Sequence, residues 1–362
     1  MIFLINSTYT IWLPIYSLSD YKYQSIIYKS LIVIECLLSL LALSFTIITV
    51  FIVFSSRAFH RNLNSLIAVI ISSWLLSLVS RTLLTPYLIG WAHVTSGDVN
   101  SGWWTDDVAG MTQLGDTDGP LFLGGFLAWY YMFIMITCLF TMALERSFAS
   151  FFIRNYENTS RLYIFILLLL FQHCLVFTMT YICFWNLIHF WPAITFCILI
   201  NVAAVLIFYL NKHYNSKLIQ KLDISQSKKQ TCDLTTLPVR FQAKENIRSF
   251  DLTIRVIICG FILIISAITC IIFLTFKIFP SLETLLVYCM ENIIHLNPLI
   301  VCPLLIFSVS TWSKALLKSK AIWIQKITNI DSKNRKTTEQ NQQQETDTYF
   351  LQLKNSWEMR RK

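Results

Sequence analysis

The sequence predicts an all-α protein: a bundle of seven helices crossing a membrane, N-terminus outside and C-terminus in the cytoplasm. Three observations carry this. Of 362 residues, 55% are hydrophobic and 14% charged, and the mean hydropathy is positive, a balance that a soluble domain of this size would not keep in solution. Seven apolar runs reach the roughly 20 residues that a helix needs to cross a hydrocarbon core about 30 Å thick. Lys and Arg are concentrated in every second segment between those runs, which is the pattern that orients membrane helices.

The runs extend from about Ser30 to Phe54, Ser65 to Leu88, Pro120 to Leu144, Arg161 to Phe184, His189 to Leu210, Thr253 to Phe276 and Thr284 to Val309. Each is continuous rather than alternating, which excludes a membrane barrel, and a helix satisfies all its backbone polar groups in lipid. Residues 1–29 precede them as an extracellular segment. Met1 to Pro14 lacks a basic leader region and an uninterrupted apolar stretch, so the first span itself is expected to direct insertion.

The segments after the first, third and fifth runs carry Arg57 and Arg61, then Arg146 and Arg154, then Lys212, Lys217, Lys221, Lys228, Lys229, Arg240, Lys244 and Arg248. These belong to the cytoplasm. Gly90 to Gly119 has no Lys or Arg but holds Asp98, Asp106, Asp107, Asp116 and Asp118, and faces outside. Asn6-Ser7-Thr8 is then a glycosylation sequon on the exposed side, whereas Asn158-Thr159-Ser160 is on the wrong side to be modified. Residues 310–330 form a basic juxtamembrane segment. Trp312 to Lys326 has the pattern of a helix lying on an anionic inner leaflet and equally that of a stop-transfer flank. The tail, 331–362, is rich in Gln, Lys, Thr and Glu and is expected to be disordered.

Several function classes drop out. The net charge of +9 lies in short segments between apolar runs rather than on one face, which excludes nucleic acid as a partner. No phosphate-cradling glycine loop, H-E-x-x-H or nucleophile elbow occurs, so catalysis is not expected. Nine of the ten cysteines lie inside or at the ends of apolar runs, with no disulfide, metal or cofactor framework.

Ionisable residues inside spans are costly, so each calls for a partner, a wet cavity or a role. Glu145-Arg146 ends the third span at its cytoplasmic boundary, followed by Arg154, Tyr156 and Glu157. An acid beside an arginine there suits a releasable ionic lock, and equally a headgroup anchor with its own counter-charge. Arg240 to Ile247 leads into the sixth span, and a cytoplasmic extension of that helix would bring Glu245 or Asp251 toward Arg146. Asn297-Pro298 interrupts the seventh span. In the outer half, Trp129, Tyr130, Tyr131, Tyr288 and Glu291 are placed to line a small-molecule pocket, although aromatics near span ends serve as often as interfacial anchors. Glu291 has Arg81, Lys277 and His295 within reach of its helix neighbourhood. Glu35 and His173 read as interhelical hydrogen-bonding groups without assigned function.

Two stretches carry a resemblance: Glu145-Arg146-Ser147-Phe148-Ala149 through Asn155-Tyr156-Glu157, similar to an E-R-x-x-A with a later D-Y-E, and Arg240-Phe241-Gln242 through Glu245-Asn246. With the seven-span layout from Ser30 to Lys320 they resemble the nematode serpentine receptor class epsilon chemoreceptors, in the rhodopsin-like superfamily. Asn155 stands where that family has Asp. Asn297-Pro298 resembles the start of N-P-x-x-Y, but Val301 replaces the tyrosine and Pro303 adds a second break. The resemblance implies a plasma-membrane receptor of a sensory neuron, in its cilium, that binds a small environmental molecule and signals to a cytoplasmic heterotrimeric G protein. The rival reading, a seven-span ligand-gated channel or transporter, requires a polar path or inverted repeats, and neither is visible.

Overall fold

In the computed structural model, residues 2–5, 9–16, 18, 21–56, 58–94, 112–153, 162–188, 190–227 and 236–318 are described. Ser25 opens the first helix, its hydroxyl accepting from the Tyr28 amide at 3.5 Å, and α1 runs Ile26–Ser55. His60 caps the next: its Nδ1 accepts from the Asn62 amide at 3.3 Å, and α2 runs Arg61–Ser72. The Ser72 and Ser73 hydroxyls donate back to Ala68 and Ile70 carbonyls at 2.8 and 2.6 Å, competing with the helix ladder. The span steps there and continues as α3, Trp74–Leu88. The third to sixth spans are α4 (Gly119–Phe151), α5 (Leu162–Phe184), α6 (Phe190–Ser227) and α7 (Thr236–Thr275).

The seventh is broken into α8, Glu283–His295, and α9, Pro298–Ser308. Pro298 has no amide to donate and its ring blocks the preceding turn, so α8 ends at its threshold. Residues 310–318 continue as helix. Seven helical segments of the described residues are long and apolar enough to cross a membrane.

All seven coincide with the apolar runs, but several ends move. The fifth run was expected to stop at Leu210 and the sixth to begin at Thr253; α6 instead reaches Ser227 and α7 starts at Thr236. The polar stretches stay helical because they still have an apolar face to bury: Leu218, Ile219 and Leu222 meet Val239, Ala243 and Ile153.

A small sheet sits at the N-terminal end of the bundle, in the order β2-β1-β3. β1 (Ile2–Ile5) pairs antiparallel with β2 (Tyr9–Trp12), placing Phe3 opposite Ile11, and parallel with β3 (Thr112–Leu114), placing Phe3 also opposite Thr112. Composition alone did not signal this addition to the all-α bundle. Phe3 and Ile11 of the sheet, with Leu13 and Ile15 where the N-terminal strap continues beyond it (residues 13–16), join Trp129, Phe133 and Phe184 in one apolar cluster. Gly125 makes room for it, since a Cβ there would collide with the Leu13 side chain.

At the opposite end, which carries most of the described Lys and Arg residues, Phe59, Leu305, Ile306 and Trp312 build a second cluster. α4 runs through the middle, packed on α3, α5, α6 and α7. Large apolar residues such as Leu37, Phe51, Leu170, Ile262 and Ile265 point outward, as they do where lipid rather than water surrounds a bundle.

Candidate functional site

Two buried charge clusters lie at opposite ends of the bundle. At the basic end, Glu145 and Arg146 occupy the last turns of α4, each 1% exposed. Arg146 donates from Nε to Glu145 Oε2 at 2.5 Å and from Nη2 to Glu145 Oε1 at 2.7 Å. This bidentate geometry satisfies the guanidinium within its own helix. Nη1 faces α7, donating to Asn246 Oδ1 at 3.2 Å and to Glu245 Oε1 at 3.4 Å.

The Glu245 carboxylate has a second contact, accepting the His60 amide at 2.7 Å. That amide opens α2, where the helix dipole favours a negative group. A polar net extends the contact: Asn246 donates to Ser150 Oγ at 3.0 Å and Asn215 Oδ1 at 3.2 Å, and Asn215 donates to the same Ser150 oxygen at 3.0 Å. The net thereby ties α4, α6 and α7 together. Beside it, Arg248 donates to the Ala58 carbonyl and stacks over the Phe59 ring at 4.7 Å.

The charges are held unequally. Glu145 neutralises Arg146 at short range whatever α7 does, whereas Glu245 adds a single long contact across helices. Displacing α7 therefore breaks the crosslink without leaving Arg146 as an uncompensated buried charge, the state that would cost about 3–5 kcal/mol. Asp251, the other candidate partner, lies away from Arg146: its 58%-exposed side chain pairs with Lys212 at 3.6 Å. Arg240 is half-buried on α7, two residues before Gln242. Arg154, Tyr156 and Glu157 lie outside the described residues, as do Asn6 and everything beyond residue 318.

At the N-terminal end, Arg81 of α3 lies between two carboxylates. Its Nε and Nη2 donate to Glu35 of α1 at 2.6 and 3.3 Å, and Nη1 donates to Glu291 of α8 at 2.5 Å. Asn292 also donates to Glu35, at 3.3 Å. One turn below Glu291, His295 is bracketed by the Ser39 and Ser77 hydroxyls at 3.0 and 3.1 Å, while its carbonyl accepts from Trp74 Nε1 at 2.7 Å.

A cavity of about 70 Å³ adjoins this cluster, lined among others by Arg81, Glu291, His295, Ser77, Tyr131 and, from the N-terminal strap, Tyr16. Burial pushes the Tyr16 phenol up to about 12, with the Glu291 charge adding to the effect, so it remains a neutral donor. Of the aromatics singled out from the sequence, Tyr131 lines this cavity. Trp129 instead donates to the Trp12 carbonyl at 2.7 Å, the Tyr130 hydroxyl bonds to His173 Nδ1 at 2.7 Å, and Tyr288 donates to the Leu31 carbonyl at 2.8 Å. Their polar atoms are engaged in anchoring the strap, α5 and α1.

A second cavity of about 70 Å³ lies deeper and reaches the basic-end cluster; Tyr131, Met135, Asn297 and Arg146 are among its walls. Tyr131 borders both spaces, and its hydroxyl accepts from Asn297 Nδ2 at 2.7 Å, at the break between α8 and α9. Sequence reasoning missed Glu35, Asn246, Asn215 and Ser150 as site residues. Glu35 was legible as a costly ion inside a span; the three neutral residues have no comparable signal.

Among the described residues no group of three or more His, Cys, Asp or Glu is disposed to hold a metal, and the cysteines are free. The family model described as "Sre G protein-coupled chemoreceptor" matches residues 1–358. Serpentine receptor class epsilon-45 of Caenorhabditis elegans is 34% identical, covering 99% of this chain and 100% of its own. Serpentine receptor class epsilon-38 of the same nematode is 31% identical over 97% of this chain and 98% of its own. No solved structure matches. Seven membrane-spanning helices, a full-length family match and full-length relatives agree: this chain belongs to the Sre family of G protein-coupled chemoreceptors.

Proposed function

We propose that this receptor lies in the plasma membrane of a sensory neuron, in its cilium, with the sheet-bearing end outside. A small environmental molecule enters the cavity beside Arg81 and Glu291, and the basic end engages a heterotrimeric G protein. The orientation rests on the Asp-rich, Lys- and Arg-free segment Gly90 to Gly119 against the basic segments of the other end. The observation that carries the coupling mechanism is the unequal hold on Arg146, bidentate from Glu145 within α4 and single and long from Glu245 across to α7.

Binding is read as a population shift. A ligand favouring one arrangement of α3 and α8 acts on Tyr131 and Asn297 at the helix break, and through the deeper cavity on the packing of α7 against α4. When α7 leaves α4, the Glu245 contact and the Asn246 net part, Arg146 keeps Glu145, and a cleft opens to the G protein. Asn6 is glycosylated in this orientation.

The test is a second-messenger and calcium assay in cells expressing the chain, with a panel of small odorants, matched surface expression, G-protein signalling blocked or intact, and Arg146→Ala in parallel. A response removed by the block and by Arg146→Ala is expected. A membrane current that survives the block would overturn the reading in favour of a ligand-gated channel.

A further inference from the structure

We infer that the deeper cavity is a second binding site, whose occupant is a small neutral hydrocarbon-like molecule, and that this occupant favours the resting receptor. The regulatory half of the inference rests on the α4–α7 coupling proposed above; the site itself does not. Its walls come from the helices around the seam between α4 and α7, and they are largely apolar: Ile67 of α2, Cys138 and Met142 of α4, Val256 of α7 and Leu305 of α9 are among them.

The polar side chains in the wall are turned to protein partners. The Ser249 hydroxyl donates to the Asn246 carbonyl at 2.8 Å, the Thr253 hydroxyl to the Ser249 carbonyl at 2.9 Å and the Cys138 thiol to the Met135 carbonyl at 3.0 Å. Trp74 Nε1 is engaged by the His295 carbonyl, the Asn297 amide by Tyr131 and the Arg146 guanidinium by Glu145. A water needs roughly two to four polar partners to remain in a cavity, and apolar cavities that do not supply them stay dry and bind apolar guests. A dry cavity of about 150 Å³ admits benzene. At about 70 Å³ this one takes a body roughly half as large, about three or four carbons.

The walls also set the direction of the effect. Arg146 of α4 and Ser249 of α7 both border the cavity, and Ser249 lies one turn from Glu245, which reaches Arg146 across the seam. When α7 leaves α4, Ser249, Leu252 and Val256 leave with it, and a guest loses the dispersion contacts of that wall. The guest therefore binds the resting arrangement better, and that difference in affinity shifts the population toward rest. A charged or strongly hydrogen-bonding guest would be left with unmatched polar groups.

The test melts purified full-length receptor in lipid nanodiscs with isobutane, and with isopropanol, which carries a hydroxyl where isobutane has a methyl. Isobutane is expected to raise the melting temperature saturably and to bind about ten-fold or more tighter than isopropanol, whose hydroxyl would go unpaired. Val256→Phe on α7 and Cys138→Leu on α4 each fill the space and are expected to abolish the saturable rise, whereas Ile262→Phe, on the outward face of α7 at 60% exposure, keeps it. No rise, a rise that does not saturate, one that survives both filled variants, or equal binding of the alcohol would each overturn the site. Should neither filled variant fold, Met135→Ala, which enlarges the space, is expected to gain a saturable response to benzene that wild type lacks, and no gain would overturn the site equally. Basal G-protein activation, read separately, is expected to fall about three-fold with isobutane in wild type and not in a filled variant. Saturable binding with basal activation unchanged or raised would overturn the regulatory half alone. A receptor that answers odorants through a G protein yet shows no isobutane site would overturn this inference and leave the reading above intact.

Discussion

Arg81, which is partly exposed, and Arg146, which is fully buried, each have two carboxylate neighbours, yet their surroundings assign them different work. Arg81 draws together α1, α3 and α8, three helices distant in sequence. Arg81→Ala takes from the buried Glu35 carboxylate its bidentate partner and is expected to destabilise the receptor by about 3–5 kcal/mol, read as a fall in melting temperature in a bilayer. Tyr131→Phe is milder: it removes the acceptor of Asn297 while keeping the ring in both cavities. The expected result is a loss of signalling efficacy of about five-fold, on the order of 1 kcal/mol, with ligand affinity nearly unchanged. An equal loss of affinity and efficacy would instead place Tyr131 in ligand contact alone. At this scale the sequence is legible where chemistry is expensive. Arg81, Glu291, Glu145 and Arg146 stand out because ions in spans need a reason to be there. It is opaque where the partner is chosen by packing: nothing local tells that Trp129, Tyr130 and Tyr288 turn to Trp12, His173 and Leu31.

Among the elements, the N-terminal strap shows most clearly what periodicity leaves out. Its short run Ile2–Ile5 pairs on one side with Tyr9–Trp12 and on the other with Thr112–Leu114, more than a hundred residues away, and a partner that remote leaves no local mark. Gly125 is the point at which the strap meets α4. Gly125→Ala is expected to lift Leu13 from its seat at a cost of about 1–3 kcal/mol, measured as faster proteolysis of the strap. Adding Leu13→Ala should recover much of that protection, and a double variant no better protected than Gly125→Ala would contradict the seat. The seven spans themselves were legible from length and hydropathy. The extensions of α6 and α7 were only partly so, because those polar stretches are helical through packing on each other rather than through residence in lipid.

For the molecule as a whole, the two charge clusters bracket the bundle, with the Tyr131–Asn297 contact and the deeper cavity between them. That arrangement gives a contiguous physical route from the proposed ligand cavity to the proposed G-protein face, through packed side chains and a broken helix rather than a single rigid rod. The orientation is testable without any ligand. An epitope at the N-terminus should be stained on intact cells and one at the C-terminus only after permeabilisation; the reverse pattern would put the Asp-rich segment inside and remove the basis for an outward-facing cavity.

The coupling mechanism is tested most directly by basal G-protein activation of Glu245→Gln beside wild type and Arg146→Ala, at matched surface expression. Glu245→Gln removes the charge that reaches Arg146 from α7 while Glu145 continues to neutralise it. If the α4–α7 contact holds the receptor at rest, ligand-independent activation should rise by about five-fold or more, corresponding to roughly 1 kcal/mol of population shift; Arg146→Ala breaks the same contact but also takes the guanidinium out of the opened cleft and leaves Glu145 buried without it, and should be silent. Basal activity at the wild-type level in well-expressed Glu245→Gln would contradict it.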